Sequence, residues 1–465
     1  MIKTILLTFS LLFTILSFSQ NRTFNASLET KGLAGSGSCM PFWFTHNQLG
    51  KYSNSANWQG LTEGQISGLI PLSEKLKLTY GTDLAFLASD KEINTKIIQA
   101  YAGLSWGKIT LKAGAFADEE ILGGLSASNG NIVRSLNYRP YPMIRLSTSG
   151  YIPFLFAKKW FRFKAEYDEG ILNDNRLVNH PHLNHNMLAG QFLVSKTLRL
   201  SLEVNRYVFW GGRSLQYGQL PDDLESYFRY ILGLKGGSGF LETDQINVAG
   251  NQLGSYLLTT EKDFENFQLQ IRISHPFEDH SGMEFNNLKD NMYSFYITKN
   301  KTGSLIDEFL FEYLYTKNQS GSFHQTSGPG KHMRGLDNYF NHGIYRTGFS
   351  YLGYSMGTPL FSPLVKNSDG IVAGFENNRI SAFHAGAKGY MAKQITWKTM
   401  ITYSRNFGTY SNPYNPVRKE LYSLAEFSWK SGVFPLIIST QLAADFGDMA
   451  DNQFGLGFSC KWIFR

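Results

Sequence analysis

In seven or more segments of this 465-residue chain, apolar and polar residues alternate with a period of two, and after residue 20 no apolar run is long enough to cross a bilayer as a helix. The clearest segment sets Phe267, Leu269, Ile271 and Ile273 against Gln268, Gln270, Arg272 and Ser274. A strand of this kind has one greasy and one wet face. A long ordered series of them, separated by turns, is how a chain spans an outer membrane.

The pattern recurs along most of the sequence. Leu76, Leu78, Tyr80, Thr82, Leu84 and Phe86 alternate with Lys75, Lys77, Thr79, Gly81 and Asp83. The runs 98–106 and 109–115 flank Gly107-Lys108 and read as a hairpin. Leu198, Leu200, Leu202 and Val204 oppose Arg199, Ser201, Glu203 and Asn205, and Phe309, Phe311, Tyr313 and Tyr315 are set against Glu308 and Glu312. Lipid would reject these charges, so the polar faces should point into a barrel. About 16 to 19 strands can be marked, and an even number is expected. Composition agrees: 15% aromatic residues and only 17% charged ones, against about 25% in soluble proteins, suit a wall with one lipid-facing side. Trp106, Trp160, Trp397, Trp429 and Trp462 near strand ends are expected to form interfacial girdles.

The N-terminus reads as a secretory signal over residues 1–19. Lys3 supplies the positive start, Ile5 to Phe18 the apolar stretch, and Ser17 and Ser19 the small residues before a chain beginning at Gln20. Residues 20–59 are then expected as an N-terminal segment, and 60–465 as the barrel. Cys39 and Cys460 cannot make a disulfide framework. Cys460 shares a face with Phe458 and Trp462 and reads as lipid-facing, although a bridge to Cys39 stays open in an oxidising compartment. The net charge of +7 has no basic block behind it, which speaks against nucleic acid and is compatible with an anionic polysaccharide or lipopolysaccharide phosphate.

Four stretches interrupt the alternation: 35–58, 117–139, 208–250 and 318–378. One holds a helix signal. Pro221, Asp222, Asp223 and Glu225 form an acidic start; Leu224, Tyr227, Phe228, Ile231 and Leu232 follow at helical spacing, and Gly233 stops the run. Such a helix should dock at the barrel mouth or in the lumen. No polar domain of a hundred-odd residues precedes the strands, which argues against a TonB-dependent transporter. His180, His182 and His185 match no metal-site spacing and have Pro181 among them, so a polar strand entry is the better reading. No nucleophile elbow accompanies His275, His324, His342 or His384, and Ser327-Gly328-Pro329-Gly330-Lys331 lacks the spacing of a phosphate loop. No catalytic residue, metal site or cofactor is therefore expected. The segment from Gly335 to Leu360 concentrates amides, imidazole, guanidinium and aromatic rings, the groups that take sugar hydroxyls and C–H faces.

The residues 40–50 (MPFWFTHNQLG), Ser128-Asn129-Gly130 with Arg139-Pro140-Tyr141-Pro142, Phe209-Trp210-Gly211-Gly212, and Asn338-Tyr339-Phe340-Asn341-His342 through Gly357-Thr358-Pro359-Leu360 resemble the Wzi family of capsule-assembly outer-membrane proteins in its Bacteroidetes form. The resemblance implies an all-β transmembrane antiparallel barrel of about 18 strands, with a short helical element at the mouth or in the lumen. It also implies a non-enzymatic role in binding or organising capsular or extracellular polysaccharide at the cell surface. Outer-membrane lipid, lipopolysaccharide and other capsule export proteins are the further partners implied. From the matching motifs and side-chain chemistry, Trp43, Asn47, Trp210, Arg213, Tyr339, Asn341, His342, Tyr345 and Arg346 are the expected sugar contacts. A porin-type channel is the alternative, and an outer-membrane hydrolase a third reading.

Overall fold

Alternation along the chain becomes a closed antiparallel wall of 18 strands in the computed structural model. It describes residues 23–464 apart from 158, 247, 279, 324 and 327–332. The expected signal, His324 and the 327–331 loop tip lie outside the described residues. The strands are β1 (Thr23–Gly35), β2 (Trp58–Pro71), β3 (Leu76–Ser89), β4 (Ile93–Trp106), β5 (Ile109–Ala115) and β6 (Pro142–Thr148). Next come β7 (Phe161–Ile171), β8 (His182–Leu193), β9 (Leu198–Trp210), β10 (Asn251–Asp263), β11 (Phe267–Phe277) and β12 (Asn291–Lys299). The circuit ends with β13 (Glu308–Tyr315), β14 (Ile380–Ala392), β15 (Ile395–Gly408), β16 (Pro413–Lys430), β17 (Leu436–Gly447) and β18 (Gln453–Phe464). Each strand pairs with its sequence neighbours. The seam closes where β1 meets β18, with Leu28 opposite Trp462.

That seam corrects one boundary. Residues 20–59 are not a segment apart from the barrel, because β1 is part of the wall. Its outward positions include Ala26, Gly32 and Ala34, so the alternation is faint there, while Glu29 and Lys31 face the lumen. The wall also explains the composition. Leu188, Leu202, Val204, Phe295, Phe311, Phe383, Leu456 and Phe458 are exposed on its outside, and Glu63, Asp83, Asp168, Glu312 and His384 are buried on its inside. Cys460 is exposed beside Phe458, and both cysteines are free.

Short turns join the strands at one end, for example 107–108, where Gly107 has φ 59° and bears no clash-prone neighbour. Long connections occupy the other end: 36–57, 116–141, 211–250, 278–290 and 316–379. Since periplasmic turns are short and extracellular loops long, the first end is the inner one. The tryptophans 106, 160, 397, 429 and 462 all lie at this inner rim, so they form a single girdle.

Candidate functional site

Three of the long connections fold inward and fill the lumen. Segment 36–57 carries the short helix α1 (Phe42–Thr45), every residue of which is buried. It is tied to the wall by the Phe42 N–H, which donates to Asp445 (2.7 Å), and by the Lys51–Glu63 ion pair (2.6 Å). Segment 116–141 is held by Glu312 on β13, whose carboxylate accepts from Ser126 Oγ (2.8 Å), Ala127 N (2.9 Å) and Ser294 Oγ (2.8 Å). Beside it the His384 ring is bonded to the Leu125 carbonyl (2.6 Å). Segment 316–379 locks onto the second: Thr358 N donates to Ile132 O (2.7 Å), and Ser128 Oγ to Thr358 Oγ1 (2.7 Å). One apolar core joins Trp43, Phe44, Ile132, Tyr339, Phe349 and Phe361 from these segments to Leu33, Leu87, Ile98, Tyr207, Ile380, Met400 and Ala443 from strands around the wall. The lumen is plugged.

Below the core, Asp118 meets Arg134 and Arg145 (2.9 Å to the latter), Arg134 meets Glu166 (3.1 Å), and Arg145 grips Asp168 through two 2.7 Å bonds. Burial alone would raise the Asp118 carboxyl, but the two guanidinium groups hold it well below the usual carboxylate range. Glu166, Asp168 and His185 stand close enough to hold a cation. Their carboxylates are already engaged by arginine, so the donor set does not suit a metal. The three histidines of 180–185 part company: His180 is exposed, His182 stacks on Trp210 at 4.2 Å outside the wall, and His185 is buried between Asp168 and Asn205.

Above the core lies a cleft of about 700 Å³, open at the outer mouth. Asp244, Asn251 and Gln252 form one side and Thr409, Ser411 and Asn412 another, with residues 335–338, 341–343, Arg346, Glu278, Phe375 and Glu376 between them. Among the nine expected sugar contacts, Asn341, His342 and Arg346 line it. Asn341 is spent as a clamp: its amide donates to Phe375 O (3.1 Å) and its carbonyl accepts from Phe375 N (2.7 Å). Arg346 is exposed. The half-buried His342 accepts the N–H groups of Ile344 and Tyr345 at Nδ1 (3.2 Å each), which leaves Nε2 to carry the proton.

The other six are placed elsewhere. Trp43, Tyr339 and Tyr345 are buried in the plug, Tyr339 donating to Asp290 (2.8 Å) and Tyr345 to Gly211 O (3.1 Å). Asn47 stitches two plug segments through Ala127 O (3.0 Å). Trp210 is on the outer face of the wall, where its Nε1 donates to Glu169 (2.9 Å), and Arg213 is exposed in the connection after it. Rings and amides pack a plug as well as they bind a sugar, which is why residue type alone did not separate the two uses. Asp244, Glu278, Glu376 and Asn412 went unread. The only signal for the last was its turn sequence, Ser411-Asn412-Pro413.

Burial pushes the His342 imidazole down to about 4, from near 6.5 in an unfolded chain. The unfolded state then takes up the proton first, so stability falls as pH drops through 6.5 toward 4. Thermal melts between pH 7 and 4.5 should therefore fall more steeply for the native protein than for His342→Asn, which keeps an acceptor and cannot titrate. Parallel curves would remove this role.

No family model and no curated relative matches the sequence. Solved structures do. The Escherichia coli protein Wzi, described as an outer membrane protein involved in group 1 capsule assembly and a carbohydrate-binding β-barrel, superposes with a TM-score of 0.56 at 13% identity, over 93% of this chain and 83% of that one. The fold is that of an outer-membrane β-barrel. Pseudomonas aeruginosa OpdQ and OccK5 (OpdH) each give a TM-score of 0.50, at 8% and 10% identity, over 96% of this chain and 99% of theirs.

Proposed function

We propose that the protein is a closed, non-enzymatic barrel of the Wzi type that binds capsular or extracellular polysaccharide in its outer cleft and retains it at the cell surface. The observation that carries this reading is the plug. Its side chains fill the lumen, which favours binding over transport, and above it a polar cleft faces outward, where a chain of sugars can lie without entering the barrel. The Arg346 guanidinium, the His342 Nε2–H and the Asn412 amide are the donors for sugar hydroxyls. The likeness to Wzi supports the same reading, and the motifs 40–50, 128–142 and 338–360 meet one another within the plug.

Deletion of the gene should move surface polysaccharide from the cell-bound to the shed fraction. Purified polysaccharide should bind the Arg346→Ala/Asn412→Ala double variant on the order of tenfold more weakly, a loss of ~1.4 kcal/mol. Its chain length should be unchanged after incubation with the native protein. An unaltered bound fraction would remove the capsule reading, and shortening of the polymer would make the protein a hydrolase.

A further inference from the structure

The 211–250 connection touches the plug and the cleft through Gly211, Leu220 and Asp244, but its middle part lies outside the barrel. On β9 the positions 202 and 204 are exposed on the outside of the wall, and with no break in register the same face continues through Arg206, Val208 and Trp210. Yet Val208 is fully buried and Trp210 nearly so. They are covered by the 211–250 connection, which folds back over the outer surface and places the helix α2 (Leu224–Leu232) there. Arg206 anchors it, donating to the carbonyls of Tyr230 (3.0 Å) and Ile231 at the helix C-terminus. Asp223 caps its start, and Gly233, at φ 67°, ends it. The helix therefore sits at the mouth, on its outer side.

Its orientation reverses the usual one. Ser226, Tyr227 and Tyr230 face the wall, whereas Leu224, Phe228 and Leu232 are 71%, 52% and 65% exposed, one above another at i, i+4 and i+8. Glu225 and Arg229 neutralise each other along one edge of this stripe (2.8 Å). The wall beneath is polar: Glu169, Asn184 and Asn186 lie on the outer face of β7 and β8, bonded among themselves and to Trp210. On β18 the outward apolar positions run from Phe454 to Phe464, roughly 25 Å of height for a tilted strand and the full depth of a barrel's lipid-facing band. On β8 they run only from Leu188 to Phe192. The band is short where α2 lies, and the stripe stands in the missing place.

We propose that Leu224, Phe228 and Leu232 are immersed in the acyl chains of the outer leaflet, so that α2 supplies the upper part of the lipid-facing band over β7 to β9 and seals polar wall residues from lipid. The occupant is lipid because the stripe continues an apolar surface already in contact with it. Its charged residues are paired to each other rather than offered to a protein partner.

The test uses the full-length barrel with Cys39→Ser and Cys460→Ser, reconstituted in dioleoylphosphatidylcholine vesicles and spin-labelled at Phe228→Cys, with Leu202→Cys as the lipid-facing reference and Glu225→Cys as the wet one. Relaxation of the label by oxygen, which concentrates in lipid, is compared with relaxation by a water-soluble nickel chelate. The oxygen-to-nickel ratio at Phe228 should match that at Leu202 and exceed that at Glu225 several-fold. A ratio like that of Glu225 overturns the proposal. A label shielded from both reagents also overturns it, because protein, such as a second copy of the barrel, would then cover the stripe. Leu224→Cys and Leu232→Cys give the same reading if the first variant does not assemble.

Discussion

Glu312→Ala should free the plug while leaving the wall closed. The carboxylate is almost fully buried, and its removal strands the Ser126 hydroxyl, the Ala127 amide and the Ser294 hydroxyl inside the lumen. Breaking a buried charged network by removing one partner costs about 3–5 kcal/mol. That loss falls on segment 116–141 and, through the Thr358 bonds to Ile132 and Ser128, on segment 316–379. Strand pairing does not depend on it. Hydrogen exchange at residues 125–132 should accelerate by roughly a hundred- to a few thousandfold, at tenfold per 1.4 kcal/mol, while amides in β16 to β18 keep their protection. Glu312→Gln, which retains one acceptor, should fall between. If exchange at 125–132 is unchanged, the plug is held by its apolar core and Glu312 is incidental.

The second large effect concerns ions. In planar bilayers the native barrel should show no steady conductance steps, because the core from Leu33 round to Ala443 closes the section with side chains that offer an ion no replacement for its water. Replacing residues 336–376 by a Gly-Ser linker removes Phe340, Tyr345, Phe349 and Phe361 from that layer and should produce stepwise currents. Currents from the native protein would restore the channel reading, and with it the chamber of about 550 Å³ below the plug, lined by Lys112, Arg145, Lys164, Glu203 and Glu261, as part of a path.

How much of this was legible varies with the length scale of the cause. Strands with charges on one face and rings on the other were plain, because the period of two is imposed by the backbone itself. β1 was missed because alanine and glycine satisfy a lipid-facing position almost as well as leucine and leave no contrast. Residues 35–58, 117–139 and 318–378 were recognised as interruptions. That they interlock depends on pairs such as Asn47 with Ala127, far apart in the chain and individually unremarkable. The fate of 208–250 was readable in principle: Leu202, Val204, Val208 and Trp210 share one parity, and following it past Arg206 puts Trp210 outside the wall. The acidic residues of the cleft had no such pattern, since they come from separate turns that only the closed barrel brings together.

The tryptophan girdle fixes the altitude of everything above it. Trp106, Trp160, Trp397, Trp429 and Trp462 all lie at the inner rim, against the single exposed Trp58 at the outer end of β2, so the barrel is held more firmly at the periplasmic interface than at the outer one. A thicker or thinner bilayer therefore moves the outer leaflet relative to the cleft, and not the cleft relative to the periplasm. How far the binding surface stands proud of the lipid, and so how easily a long polymer reaches it, becomes a property of the membrane as much as of the protein.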